Sequence, residues 1–136
     1  MKYTEEELEI IMQCGIKEAL ELAKENGITF DFSHESVKDV EKLLEEFHHD
    51  YKKLKNEEEA FHGLSMILAA YIAEVLTRRG VKGKWIPTTR FGQDTIAFKV
   101  PGADLMLYHW CLKRIFDGKQ DDVWLKYQNV VRALKL

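Results

Sequence analysis

Little in this chain points to a reaction. Its two cysteines, Cys14 and Cys111, show no CxxC or other metal-ligand spacing, so they suggest neither a cysteine-based metal site nor a disulfide framework. There is no phosphate-binding glycine loop and no Gly-x-Ser-x-Gly elbow, and neither cysteine has a histidine at a diagnostic spacing. P-loop chemistry and nucleophilic acyl transfer therefore have no support. No uninterrupted apolar run reaches the ~18 residues that cross a bilayer. The opening MKYTEEELEI is too acidic, and its apolar part too short, for a signal peptide. These absences lead to the expectation of a cytoplasmic chain with reduced, buried thiols, no cofactor and no membrane partner.

What is present suits a single soluble domain. The 136 residues are 46% hydrophobic and 32% charged, enough to bury roughly two thirds of the unfolded surface. The net charge of −3 hides an asymmetry. Up to Ala60 there are 17 acidic against 8 basic residues; from Phe61 onward there are 6 against 12. Such a division either steers a charged partner or lets two halves of one domain attract each other.

Helical periodicity dominates the first part. Thr4 and Glu7 form a capping box, and Leu8, Ile11, Gly15, Ile16, Ala19, Leu22 and Ala23 follow at helical spacing until Gly27 stops the helix. ITFDF (28–32) reads as a short extended link and Ser33 as the cap of a second helix. Val37, Val40, Leu44, Phe47, Tyr51 and Leu54 give that helix a narrow seam, which could also pair with a second copy in a homodimer. A third helix, from about Glu57 to Arg79, is apolar nearly all round between Leu64 and Leu76, and so is central.

From Gly80 the character changes. KWIPT and DTIAFKV read as strands reversed by RFGQ, with Pro87 placing its strand at an edge. DLML offers a third short strand. HWCLKRIFDG is a helix ended by Gly118, and Asp121 or Asp122 caps a last one carrying Val123, Trp124 and Tyr127. The expected fold is α+β: an N-terminal three-helix core, a small antiparallel hairpin or three-stranded sheet, and two C-terminal helices.

Three stretches could carry function. The first, EEFHHDYKKLKNEEEAFH (45–62), is rich in histidine and glutamate. At ~100° per residue His49 points away from the core, so adjacent His48 and His49 cannot chelate one ion. Glu45-x-x-His48 and Glu59-x-x-His62 remain, since antiparallel helices could unite two such pairs as in dimetal bundles. Glu74 lies ~18 Å along its helix from His62 and cannot complete that site. The weightier reading is that this stretch is solvated surface with no metal.

The second is Glu74 itself, among Ala70, Ala73, Val75 and Leu76. A carboxylate there must find donors or hold a proton, and Arg78 stands four residues on in the favourable order. The pair either ties the helix to the following strands or forms the polar centre of a cleft. The third stretch is basic: Arg78, Arg79, Lys82, Lys84 and Arg90, interleaved with Trp85 and Phe91. With a pI of about 6.0, it suits an acidic protein or small anion better than nucleic acid.

DFSHESV (31–37), AAYIAEVL (69–76), GKW (83–85) and LKRIFDG (112–118), in that order, resemble a widespread group of small bacterial proteins of unknown function. The resemblance covers roughly residues 28 to 132. It departs in the Glu/Lys-rich turn at 52–59 and in DLMLYHW, where the group leads one to expect a proline. It implies a compact α+β domain acting by binding, and draws attention to Asp31, Ser33, Glu35, Glu74, Trp85, Lys113 and Arg114. The function expected from all of this is a non-enzymatic binding or accessory protein of the immunity or regulatory type. It would recognise a protein partner or a small anion through Glu74, Arg78, Arg79, Trp85, Arg90 and Arg114. The alternative is a small metal-dependent hydrolase or oxidoreductase using the Glu-x-x-His pairs.

Overall fold

In the computed structural model, residues 2–54 and 57–136 are described; Lys55 and Asn56 of the Glu/Lys-rich turn lie outside them. Helix α1 spans Glu5–Glu25. Its capping box closes as the sequence requires: Glu7 N–H donates to Thr4 Oγ1 at 3.1 Å, and Thr4 N–H to the Glu7 carboxylate at 2.9 Å. Gly27, at φ 71°, ends it and turns the Ile28 N–H back onto the Ala23 carbonyl.

Helix α2 spans Ser36–Lys53 and α3 spans Glu58–Arg78. Ser33 is the cap expected for α2, but the N-cap is Glu35; Ser33 stands in the turn before it, where its Oγ accepts the Ser36 N–H at 3.2 Å. Helix α3 is the core, with Leu68, Ala69, Tyr71, Ile72, Val75 and Leu76 essentially unexposed. Among the described residues it alone has the length and apolar composition of a membrane-crossing helix. Its apolar surface is instead largely taken up by α1 and α4 (Leu107–Asp117). The α1–α3 approach is close because Gly15 faces Ala70: a Cβ on Gly15 would sit 3.1 Å from that of Ala70.

The sheet is antiparallel in the order β1-β2-β3: Lys84–Thr88, Thr95–Val100 and Ala103–Leu105. Pro87 is on edge strand β1, as a residue without an N–H requires. Trp85 pairs with Phe98 and Lys84 with Lys99 in the β1–β2 register, and Lys99 with Asp104 in the next. Helix α4 stops at Gly118, whose φ of 100° a side chain would resist. After the 3₁₀ turn Lys119–Asp121, α5 spans Val123–Ala133, and the Asp122 carboxylate accepts the Leu125 N–H at 2.9 Å.

Two further expectations need correction. Cys14 is on the exposed side of α1, and only Cys111 is buried, its thiol pKa pushed well up by burial. The α2 seam is not available to a second copy. Val37, Val40 and Leu44 are wholly covered within the chain, where α2 packs on α4 and α5.

Candidate functional site

The six residues proposed from sequence do not converge. Trp85 is only 5% exposed and packs on Phe98, with ring centroids 5.3 Å apart. Arg90 sits exposed in the β1–β2 turn and reaches the Asp104 carbonyl at 3.4 Å. Glu74 is less enclosed than its neighbours imply: its side chain is 23% exposed and accepts from Arg78 Nε at 3.2 Å. The pair reading of Glu74 therefore fits the geometry.

The buried charge is Arg114, with no exposure at all. Its Nε lies 3.0 Å from both oxygens of Glu41, which also accepts the Val123 N–H at 3.0 Å. Nη2 is 3.0 Å from carboxylate oxygens of both Glu41 and Glu45, within ion-pair distance but off the hydrogen-bonding direction. Nη1 has no partner among the described residues. Burial opposes the guanidinium charge, and the carboxylates of Glu41 and Glu45 outweigh it. The guanidinium beside Glu45 holds its carboxyl below the usual glutamate range. This clamp joins α2, α4 and the start of α5, so Arg114 belongs to the frame rather than to a binding surface.

Arg78 turns toward residues 31–36, and the charge of Arg79 acts on Asp31 and His34. The Arg78 guanidinium lies 3.5 Å from the centroid of Phe32. Phe32 has φ 64°, a left-handed conformation that an aromatic residue rarely adopts. Its N–H donates to Tyr71 Oη at 2.9 Å, and the same hydroxyl meets Ser36 Oγ at 2.6 Å. Asp31 accepts from Ser33 Oγ and N–H, which lowers its pKa. The AAYIAEVL and DFSHESV segments thus meet through Tyr71. Their polar groups are largely spent on each other.

Three further cations lie on the sheet side. Lys82, Lys84 and Lys99 line a groove of about 810 Å³ bounded by Thr77, Gly80 and Gly102. Lys84 and Lys99 are cross-strand partners, and like charges so placed repel. Glu5 pairs with Lys84 at 3.0 Å; Lys82 and Lys99 make no ion pair among the described residues. Gly83 lets the chain pass over Phe98, since a Cβ there would lie 2.4 Å from the ring. Arg90 and Lys99 share the neighbouring depression. Sequence reasoning saw Lys82 and Lys84 as part of a basic run but missed Lys99, which only the hairpin register brings opposite.

The histidines are mostly engaged in bonds between elements. His34 bonds Tyr127, His48 Nδ1 lies 2.6 Å from the Ile115 carbonyl, His62 Nδ1 2.5 Å from Tyr108 Oη, and His109 Nε2 2.6 Å from Thr95 Oγ1. This overturns the dimetal arrangement. His48 and His62 meet α4 at Ile115 and Tyr108, roughly 10 Å apart along its axis, and Glu45 is held by Arg114. Among the described residues no three histidine, cysteine or carboxylate side chains are grouped to hold a metal ion. His62, Tyr108, His109 and Thr95 nonetheless border a second cleft, of about 560 Å³, with Glu59 and Asp94 at its edge. Four separate chain segments supply it, so no local pattern could announce it.

Comparison of the chain with protein-family models, curated proteins and solved structures yields no match.

Proposed function

We propose that this chain is a non-enzymatic accessory protein of the immunity or regulatory type, binding an acidic partner segment or a small anion in the lysine groove. The observation that carries this reading is the outward pair Lys84–Lys99 beside Lys82, in a groove with no acidic lining residue. Lys84 already has Glu5 at 3.0 Å, so the charge left for an incoming anion is chiefly that of Lys82 and Lys99. A carboxylate or phosphate bound there gains two or three charge-assisted hydrogen bonds.

The test is calorimetric titration with a poly-glutamate peptide and with pyrophosphate. Saturable, salt-sensitive binding of either is expected, and its loss in Lys82→Glu/Lys99→Glu with an unchanged melting temperature. Binding that survives the double reversal would remove the groove from consideration. Peptide binding without pyrophosphate binding would favour a protein partner.

A further inference from the structure

Gly63 lies inside α3, where glycine is the least favoured residue after proline. Gly15, also inside a helix, has a packing reason, because Ala70 leaves no room for a Cβ. Gly63 has none: a Cβ there would meet nothing within 4 Å. Gly63 lines the histidine cleft, and the space a Cβ would take is open. A residue that weakens a helix without relieving any contact is explained if something outside the chain approaches the backbone at that point.

The walls say what kind of molecule fits. Met66 and Leu112 give the cleft an apolar floor, and no lysine or arginine lines it. The only lining groups with a fixed charge are the carboxylates of Glu59 and Asp94. Two imidazoles line it, each with one nitrogen committed to a hydroxyl, leaving Nε2 of His62 and Nδ1 of His109 without a partner among the described residues. Burial, and then the neighbouring His62, depress the His109 pKa, so that ring brings no positive charge at neutral pH. An anion finds nothing here to neutralise it, whereas a cation does.

We propose that this cleft binds a small organic cation, an amine with an apolar body, seated over Gly63 with its ammonium between Glu59 and Asp94. The imidazole nitrogens supply directional hydrogen bonds, and the body covers Met66 and Leu112. The site is separate from the lysine groove and does not depend on it.

The experiment follows the ring signals of His62 and His109 by NMR during titration with tyramine and with agmatine, using succinate as the anionic counterpart. Saturable shifts of both rings with either amine, and none with succinate, are expected. Equal response to succinate, or no saturable response to either amine, would overturn the proposal. So would zinc ions perturbing both rings in competition with the amines, which would make the cleft a metal site. Gly63→Ala provides the sharper test, because it should fold better than the parent chain. Its melting temperature should rise while amine affinity falls by about tenfold or more, the loss expected when a well-fitted contact is blocked. Glu59→Gln/Asp94→Asn should lose affinity to a similar degree, and undiminished affinity in either variant would sink the assignment.

Discussion

The two ends of α3 border clefts of opposite sign. Beyond its C-terminus the groove carries Lys82, Lys84 and Lys99; near its N-terminus the cleft carries Glu59 and Asp94 around neutral imidazole. The helix dipole favours this arrangement, with acids such as Glu58 and Glu59 in the first turn and a cation in the last. The two also differ in construction. The groove is built from two short stretches that pair as a hairpin, while the cleft needs α3, α4 and the β1–β2 turn together. Charge density along the chain announces the first and is silent about the second.

Both clefts rest on a frame that neither helps to build, and the largest expected effect breaks that frame. Arg114→Met should destabilise by about 3 kcal/mol, because the buried Glu41 loses its bidentate partner and keeps only the exposed Lys119, at 3.6 Å, as counter-ion. Urea unfolding measures this, and Arg114→Met/Glu41→Leu should recover much of the loss. A loss below about 1 kcal/mol would show that the clamp is not structural. A smaller effect divides the clefts by pH. Burial depresses the pKa of both His34 and His109, so the unfolded chain takes up protons more readily as pH falls past the ordinary histidine value of about 6.5. Their contribution is complete above that pH and is lost as pH falls toward the folded values. The melting temperature should thus drop between pH 8 and pH 5, and less so in His34→Gln/His109→Gln. Lysine-groove variants should follow the parent curve. Least of all, Glu74→Gln should change stability by about 0.5 kcal/mol or less, as for a partly exposed i,i+4 pair. A loss several times larger would return Glu74 to the centre of the problem.

Much of the architecture was legible because local rules agreed. The Thr4–Glu7 box, Gly27, Gly118, the Asp122 cap and edge-strand Pro87 all act where spacing places them. The sites were less so, for identifiable reasons. Glu74 was set among apolar neighbours in sequence, but rotation about the helix brings it to the rim. Arg114, in a charged stretch, turns inward to carboxylates 73 and 69 residues away in the chain. His48 and His62 have the spacing of metal ligands, yet each is satisfied by a different end of α4. Pairing across long sequence separations decides each case, and a single chain's pattern does not record it.

The passage of Gly83 over Phe98 has an optical consequence. The ring beneath the lysine groove also packs against Trp85, an indole nearly sealed from solvent. An occupant that presses on the Gly83 backbone would displace the phenyl ring and alter the polarity around that indole. Trp110 and Trp124, on helices α4 and α5, would supply a steady background. The molecule carries its own fluorophore one layer below the groove, so occupancy can be followed as emission without any attached dye.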